Sequence, residues 1–169
     1  MKNFRVEIKW AVIFFIMMLS WMVIEKLAGF HDRNIESHAV FSNFIAIPAV
    51  AVYVLALLDK KRNFYGGTMT FRQGFMTGLV ITIFVTILSP LTQYITSTFI
   101  TPDYFKNAIE FAVSSGNASR EQAEAYFNLQ SYIFQGLIGT PVMGLITTLI
   151  VAFIVKSRRP ADNGTGGHD

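Results

Sequence analysis

Glu25, Lys26, His31, Asp32, Glu36 and His38 cluster just beyond the first apolar run and include the side chains best suited to hold a metal outside a bilayer. Imidazole nitrogens and carboxylate oxygens are zinc ligands, and three or four of them complete a site. The histidines would alternatively change charge near neutral pH and report it. Their spacing matches no metal motif, and Glu25 and Lys26 can pair or snorkel at the interface. The sequence therefore assigns no metal, no cofactor and no catalytic residue, and this outer-loop polar cluster stands only as a candidate.

Two rows of small residues form the second candidate set. Gly74, Gly78 and Thr82 recur every four residues, with Thr86, Ser89 and Gln93 continuing roughly the same face. Gly136, Thr140, Gly144, Thr148 and Ala152 make an uninterrupted row at the same spacing. Small residues at helical spacing let two membrane helices approach closely, so helix packing is expected, with a polar pore lining as the rival. Pro48, Pro90 and Pro141 fall inside apolar runs, where each removes a backbone hydrogen bond and predicts a kink.

Other chemistry is missing. No phosphate loop, zinc-protease helix, nucleophile elbow or pair of buried carboxylates appears, so a non-enzyme is expected. Gly66-Gly67 precedes Thr70-Phe71-Arg72-Gln73, which reads as a turn and a capping box rather than a nucleotide cradle. No ionisable residue falls near the middle of an apolar run, which disfavours an ion-coupled carrier.

The elements that must position these residues are membrane spans. The chain has 169 residues, of which 52% are hydrophobic, 14% aromatic and only 15% charged, with mean hydropathy +0.43. That is too apolar for a soluble domain of this size. There is no cysteine, which excludes disulfides and thiol chemistry. The net charge of +3 comes from short basic blocks between apolar runs, a pattern that suits a bilayer and not nucleic acid.

Four runs are long enough to span, at about 10–28, 41–58, 71–95 and 132–155, and they lack the alternation of barrel strands. A cleaved signal peptide is the rival reading of the first, but the run from Trp10 to Ile24 reaches or exceeds the length of a signal's apolar region, and Lys26 stands where a small residue would precede a cut after Ala28. The fold class is therefore all-α, a four-helix transmembrane bundle forming a single domain over 1–159. Lys2, Arg5, Lys9, Lys60, Lys61, Arg62, Arg72, Lys156, Arg158 and Arg159, ten of the fourteen basic residues, lie on one side. Both termini are accordingly placed in the cytoplasm.

The second outer segment, about 101–131, is long and helical. Thr101-Pro102-Asp103 predicts a helix from Pro102 to Ser114, amphipathic through Phe105, Ile109 and Ala112. It would lie on the bilayer or the outer ends of the spans, or act as a lid or binding surface. Ser119 and Gln122 predict a second helix, capped at its start and running without interruption into span four. Residues 160–169 carry nothing to hold them and predict a disordered cytoplasmic tail.

Phe41, Ile45 and Pro48 match Phe134, Ile138 and Pro141 at a shift of 93, while Leu19-Ser20 matches Leu88-Ser89 at a shift of 69. Either a two-span hairpin was copied in parallel and gained an outer insertion, or apolar segments resemble each other through composition.

Glu25-Lys26-x-x-Gly29, Asp59-Lys60-Lys61, Gly66-Gly67-x-x-Thr70-Phe71-x-Gln73-Gly74-Phe75 and Thr101-Pro102-Asp103-Tyr104-Phe105 together resemble the bacterial membrane-protein family called domain of unknown function 4199, over roughly residues 5–156. The resemblance implies four spans in a bacterial inner membrane and no established activity. The expected function is a non-enzymatic structural or interaction protein that meets a protein partner, or another copy of itself, through its outer helical loop. The alternative is an oligomeric channel or facilitator for a small uncharged or weakly polar solute.

Overall fold

Long runs of Ile, Leu, Val, Phe and Met become helices away from water, because only there does every backbone N–H and C=O find a partner within its own segment. The computed structural model describes residues 4–157, so the tail expected at 160–169, with His168, Lys2, Arg158 and Arg159, lies outside the described residues. Helix α1 is Arg5–Leu27, α2 His38–Ser42, α3 Ala46–Asn63, α4 Phe71–Ile95, α5 Tyr104–Ser114, α6 Arg120–Tyr126 and α7 Leu129–Val155. Four helical segments are long and apolar enough to cross a membrane: Arg5–Leu27, Ile35–Asn63, Phe71–Ile100 and Leu129–Val155. No strand occurs among the described residues.

The second and third spans are composite. Pro48 has no N–H to offer the Phe44 carbonyl, and the chain winds as a 3-10 turn through Asn43–Ile45 immediately before α3. Pro48 thus sits in the first turn of α3, where its missing donor leaves nothing unsatisfied. Pro90 and Pro141, by contrast, stand inside α4 and α7. Beyond Pro90, α4 widens into a π-helical turn, Thr96–Ile100.

Helix α4 packs most extensively against α7 and next against α1, while α1 meets α3 less than it meets α4. The two hairpins are unequal, which lends the parallel duplication no support. Ala56, Leu57, Ile81, Val151 and Ala152 are fully enclosed at the centre. Ile16, Ile87, Phe153 and Ile154 are more than half exposed on the outside, as lipid-facing residues are.

Both described ends of the chain lie at one end of the bundle. There Lys60 meets Glu7 at 2.9 Å with both residues buried, the Lys61 ammonium donates to the Val155 carbonyl at 2.9 Å, and Lys9 and the Trp10 indole both donate to Asp59. Ser157 closes this end by donating its N–H to the Met69 carbonyl at 2.8 Å and accepting the Met69 N–H at 3.0 Å.

The opposite, far end carries the long connection, where two expectations are corrected. Helix α5 begins at Tyr104, because the Thr101 hydroxyl does not cap it but donates back to the Thr96 carbonyl at 3.2 Å. Helix α6 does not run into α7 either. The chain turns extended at Asn128, whose side chain accepts the Ser131 N–H at 2.9 Å and caps α7 afresh.

Candidate functional site

The last turn of α1 builds the site. Gly29, at φ 80°, lets the helix end with two reversed bonds, from the Phe30 N–H to the Glu25 carbonyl (3.0 Å) and from the Gly29 N–H to the Lys26 carbonyl (2.9 Å). This is the glycine-capped helix end in which the chain folds back over its own final turn. The reversal returns His31 to Glu25, with Nε2 3.0 Å from Oε2. Phe41 then stacks on Phe30 (centroids 4.1 Å) and on Trp21 (5.4 Å), pinning α2 to α1. With α2 held there, His38 Nε2 comes to 3.5 Å from Glu25 Oε2, and the Ser42 hydroxyl donates to Oε1 at 2.7 Å.

Glu25 is completely enclosed. The Trp21 indole N–H also donates to its Oε1 at 2.6 Å, so one carboxylate oxygen is held by Trp21 and Ser42 while the other faces two imidazoles. One ligand-capable atom each from Glu25, His31 and His38 lies within 4.8 Å of the other two.

Helix α5 closes over this group. The rings of His31, His38 and Tyr104 form a near-equilateral triangle with centroids 5.1–5.2 Å apart. The Tyr104 hydroxyl lies 3.5 Å from His38 Nδ1 and 3.1 Å from the Tyr132 hydroxyl. Burial pushes the Tyr104 phenol above its ordinary value, keeping it protonated. Asn107 donates to the His31 carbonyl at 2.9 Å, and Ala108 and Ala112 are buried.

Between α5 and the bundle lies a cavity of about 170 Å³. Glu25, His31, His38, Thr96, Tyr104 and Tyr132 all contribute to its wall. The Thr96 hydroxyl is buried there without a hydrogen-bond partner.

Of the six polar residues singled out from the sequence, the structure brings together Glu25, His31 and His38. Lys26, Asp32 and Glu36 are exposed. Glu25 turns inward instead of pairing with Lys26 or snorkelling, because Trp21, Ser42 and the two histidines offer it a full set of partners within the protein. Trp21, Ser42, Thr96 and Tyr104 were not readable as members of this site. The one signal pointing to it is Gly29, three residues beyond Lys26, which marks where the chain reverses.

The small-residue rows lie between α4 and α7. A Cβ on Gly78 would meet Thr148 Cγ2 at 2.5 Å, and one on Gly144 would meet Thr82 Cγ2 at the same distance. Gly74 faces Ala152, and Gly136 faces Ser89. Thr140 is half-buried in the same row. The hydroxyls of Thr77, Thr82, Thr86 and Ser89 donate to carbonyls of their own helix three or four residues back, and Tyr53 joins Thr82 at 2.8 Å.

No curated protein and no solved structure matches this chain. A family model described as a protein of unknown function, DUF4199, matches residues 9–157, and the chain belongs to that family.

Proposed function

We propose that this chain is a non-enzymatic binding protein of the bacterial inner membrane, with cytoplasmic termini and a small chamber that takes a ligand from the outer side beneath its long loop. The observation that carries the reading is the enclosed Glu25 carboxylate meeting two imidazoles in the wall of a cavity of about 170 Å³. Buried ionisable groups are costly in a membrane protein and are candidates for functional sites. The orientation rests on the ten basic residues that the sequence assigns to the side of the termini, against four on the other.

Helix α5 is the lid of this chamber, and its exposed Lys106 and Glu110 are where a partner protein or second copy would touch. The reading is non-enzymatic because Glu25, the only carboxylate in the cavity wall among the described residues, is already engaged by Trp21, Ser42, His31 and His38. It is not free to act as a general base. An oligomeric facilitator has less support, since the hydroxyl face of α4 is engaged with its own backbone and with α7.

Native mass spectrometry of the chain released from its own membranes tests the proposal. A small non-lipid adduct on the wild type that disappears in Ser97→Trp, which fills the chamber, is expected. Spectra free of any such adduct for both proteins would contradict it.

A further inference from the structure

We infer that the chamber binds a divalent transition-metal ion of the zinc type, chelated by Glu25 Oε2, His31 Nε2 and His38 Nε2. The inference rests on the chamber being a binding site and names its ligand.

Glu25 Oε2 stands 3.0 Å from one imidazole Nε2 and 3.5 Å from the other. Ligands at about 2.0–2.1 Å from a tetrahedral zinc ion are about 3.3 Å from one another. Two of the three edges therefore already have the dimensions of a metal site. The third, between the two histidines, is within 4.8 Å and closes by movement of His38, the least buried of the three. Two imidazole nitrogens with one carboxylate oxygen form a borderline donor set, which favours zinc and its neighbours over magnesium or calcium, ions that prefer oxygen alone.

Two of the three ligands are supported as metal ligands are, while His31 Nδ1 is buried without a partner. Trp21 and Ser42 hold Oε1 and so fix the plane in which Oε2 is presented. The Tyr104 hydroxyl beside His38 Nδ1 is placed to accept that nitrogen's proton in a hydrogen bond, which leaves Nε2 free to ligate.

Three protein ligands leave a fourth position for a water. A water there would occupy the cavity, whose wall includes the unpartnered hydroxyl of Thr96.

The experiment uses the full chain in lipid nanodiscs, stripped with a chelator and then dialysed against Zn²⁺ or Co²⁺. One zinc per chain by elemental analysis is expected, with cobalt giving the strong visible absorption of a four- or five-coordinate site. His38→Gln and His31→Gln should each weaken zinc binding about 100-fold or more, while Asp32→Asn and Glu36→Gln leave it unchanged. Zinc should also raise the unfolding temperature of the wild type, a readout that does not depend on any variant folding. Substoichiometric zinc on the wild type, or stoichiometric zinc indifferent to both histidine variants, would overturn the inference. If the chamber adduct is present but contains no metal, this inference falls and the binding reading stands; if neither adduct nor zinc is found, both fall.

Discussion

His31 Nε2 lies 3.0 Å from Glu25 Oε2 because Gly29, between them, takes a left-handed conformation at φ 80°. A side chain at residue 29 is disfavoured in that region by about 1–2 kcal/mol, and a Cβ there would also press on the flexible Arg33 side chain. Gly29→Ala should therefore lower stability by about 1 kcal/mol or more. Unfolding in mixed micelles reads the loss. A variant as stable as the wild type would mean that the reversal does not hold the site together.

The contact of Gly78 with Thr148 predicts a non-additive pair. Gly78→Ala alone should destabilise by about 1–3 kcal/mol through overpacking. Thr148→Ala removes the Cγ2 and Oγ1 atoms that the new methyl would strike at 2.5 and 2.7 Å, so the double variant should recover most of the loss. Gly139→Ala, with nothing within 4 Å of its Cβ, should be close to neutral. The double-mutant cycle measures the coupling directly, and additive effects would place the helices farther apart than described.

At the terminal end, the Glu7 carboxylate and the Lys60 ammonium are buried together, and the ammonium also lies 3.7 Å from the centre of the Phe64 ring. Removing one member, as in Glu7→Leu, leaves a buried charge without its carboxylate and should cost about 3–5 kcal/mol. Glu7→Leu with Lys60→Met should regain most of it. Equal losses in the single and double variants, read by the same unfolding assay, would show that the pair does not act as a unit.

Tyr104 ties α5 to the bundle through Tyr132 and His38. Tyr104→Phe should cost about 1 kcal/mol and speed amide hydrogen exchange in 104–114 while leaving the middle of α7 protected. Exchange unchanged in 104–114 would mean that Asn107 and the buried alanines hold α5 without it.

The spans, the helical character of the long connection and the capping boxes at Thr70 and Ser119 were legible because each depends on local composition or a fixed short spacing. The break at Asn128 was less so, since a single asparagine between apolar stretches carries little weight until its side chain is seen accepting the Ser131 N–H. Pro48 announced a disturbance but not that the helix would tighten into a 3-10 turn before it. The candidate site was legible only as a set of six polar residues. Which three converge depends on the reversal at Gly29 and on the Trp21, Phe41 and Phe30 stack, and the latter brings together residues up to twenty positions apart with no repeating pattern.

Cysteine accessibility tests most directly whether the Glu25 chamber opens to the compartment opposite the termini, because the chain has no cysteine of its own. Ser97→Cys, in the chamber wall, and Asn63→Cys, at the terminal end of α3, are expressed separately in cells and exposed to a small membrane-impermeant thiol reagent. Labelling of residue 97 in intact cells, and of residue 63 only after the membrane is opened, is the predicted result. Labelling of residue 63 but not 97 in intact cells, or of both together, would contradict the account.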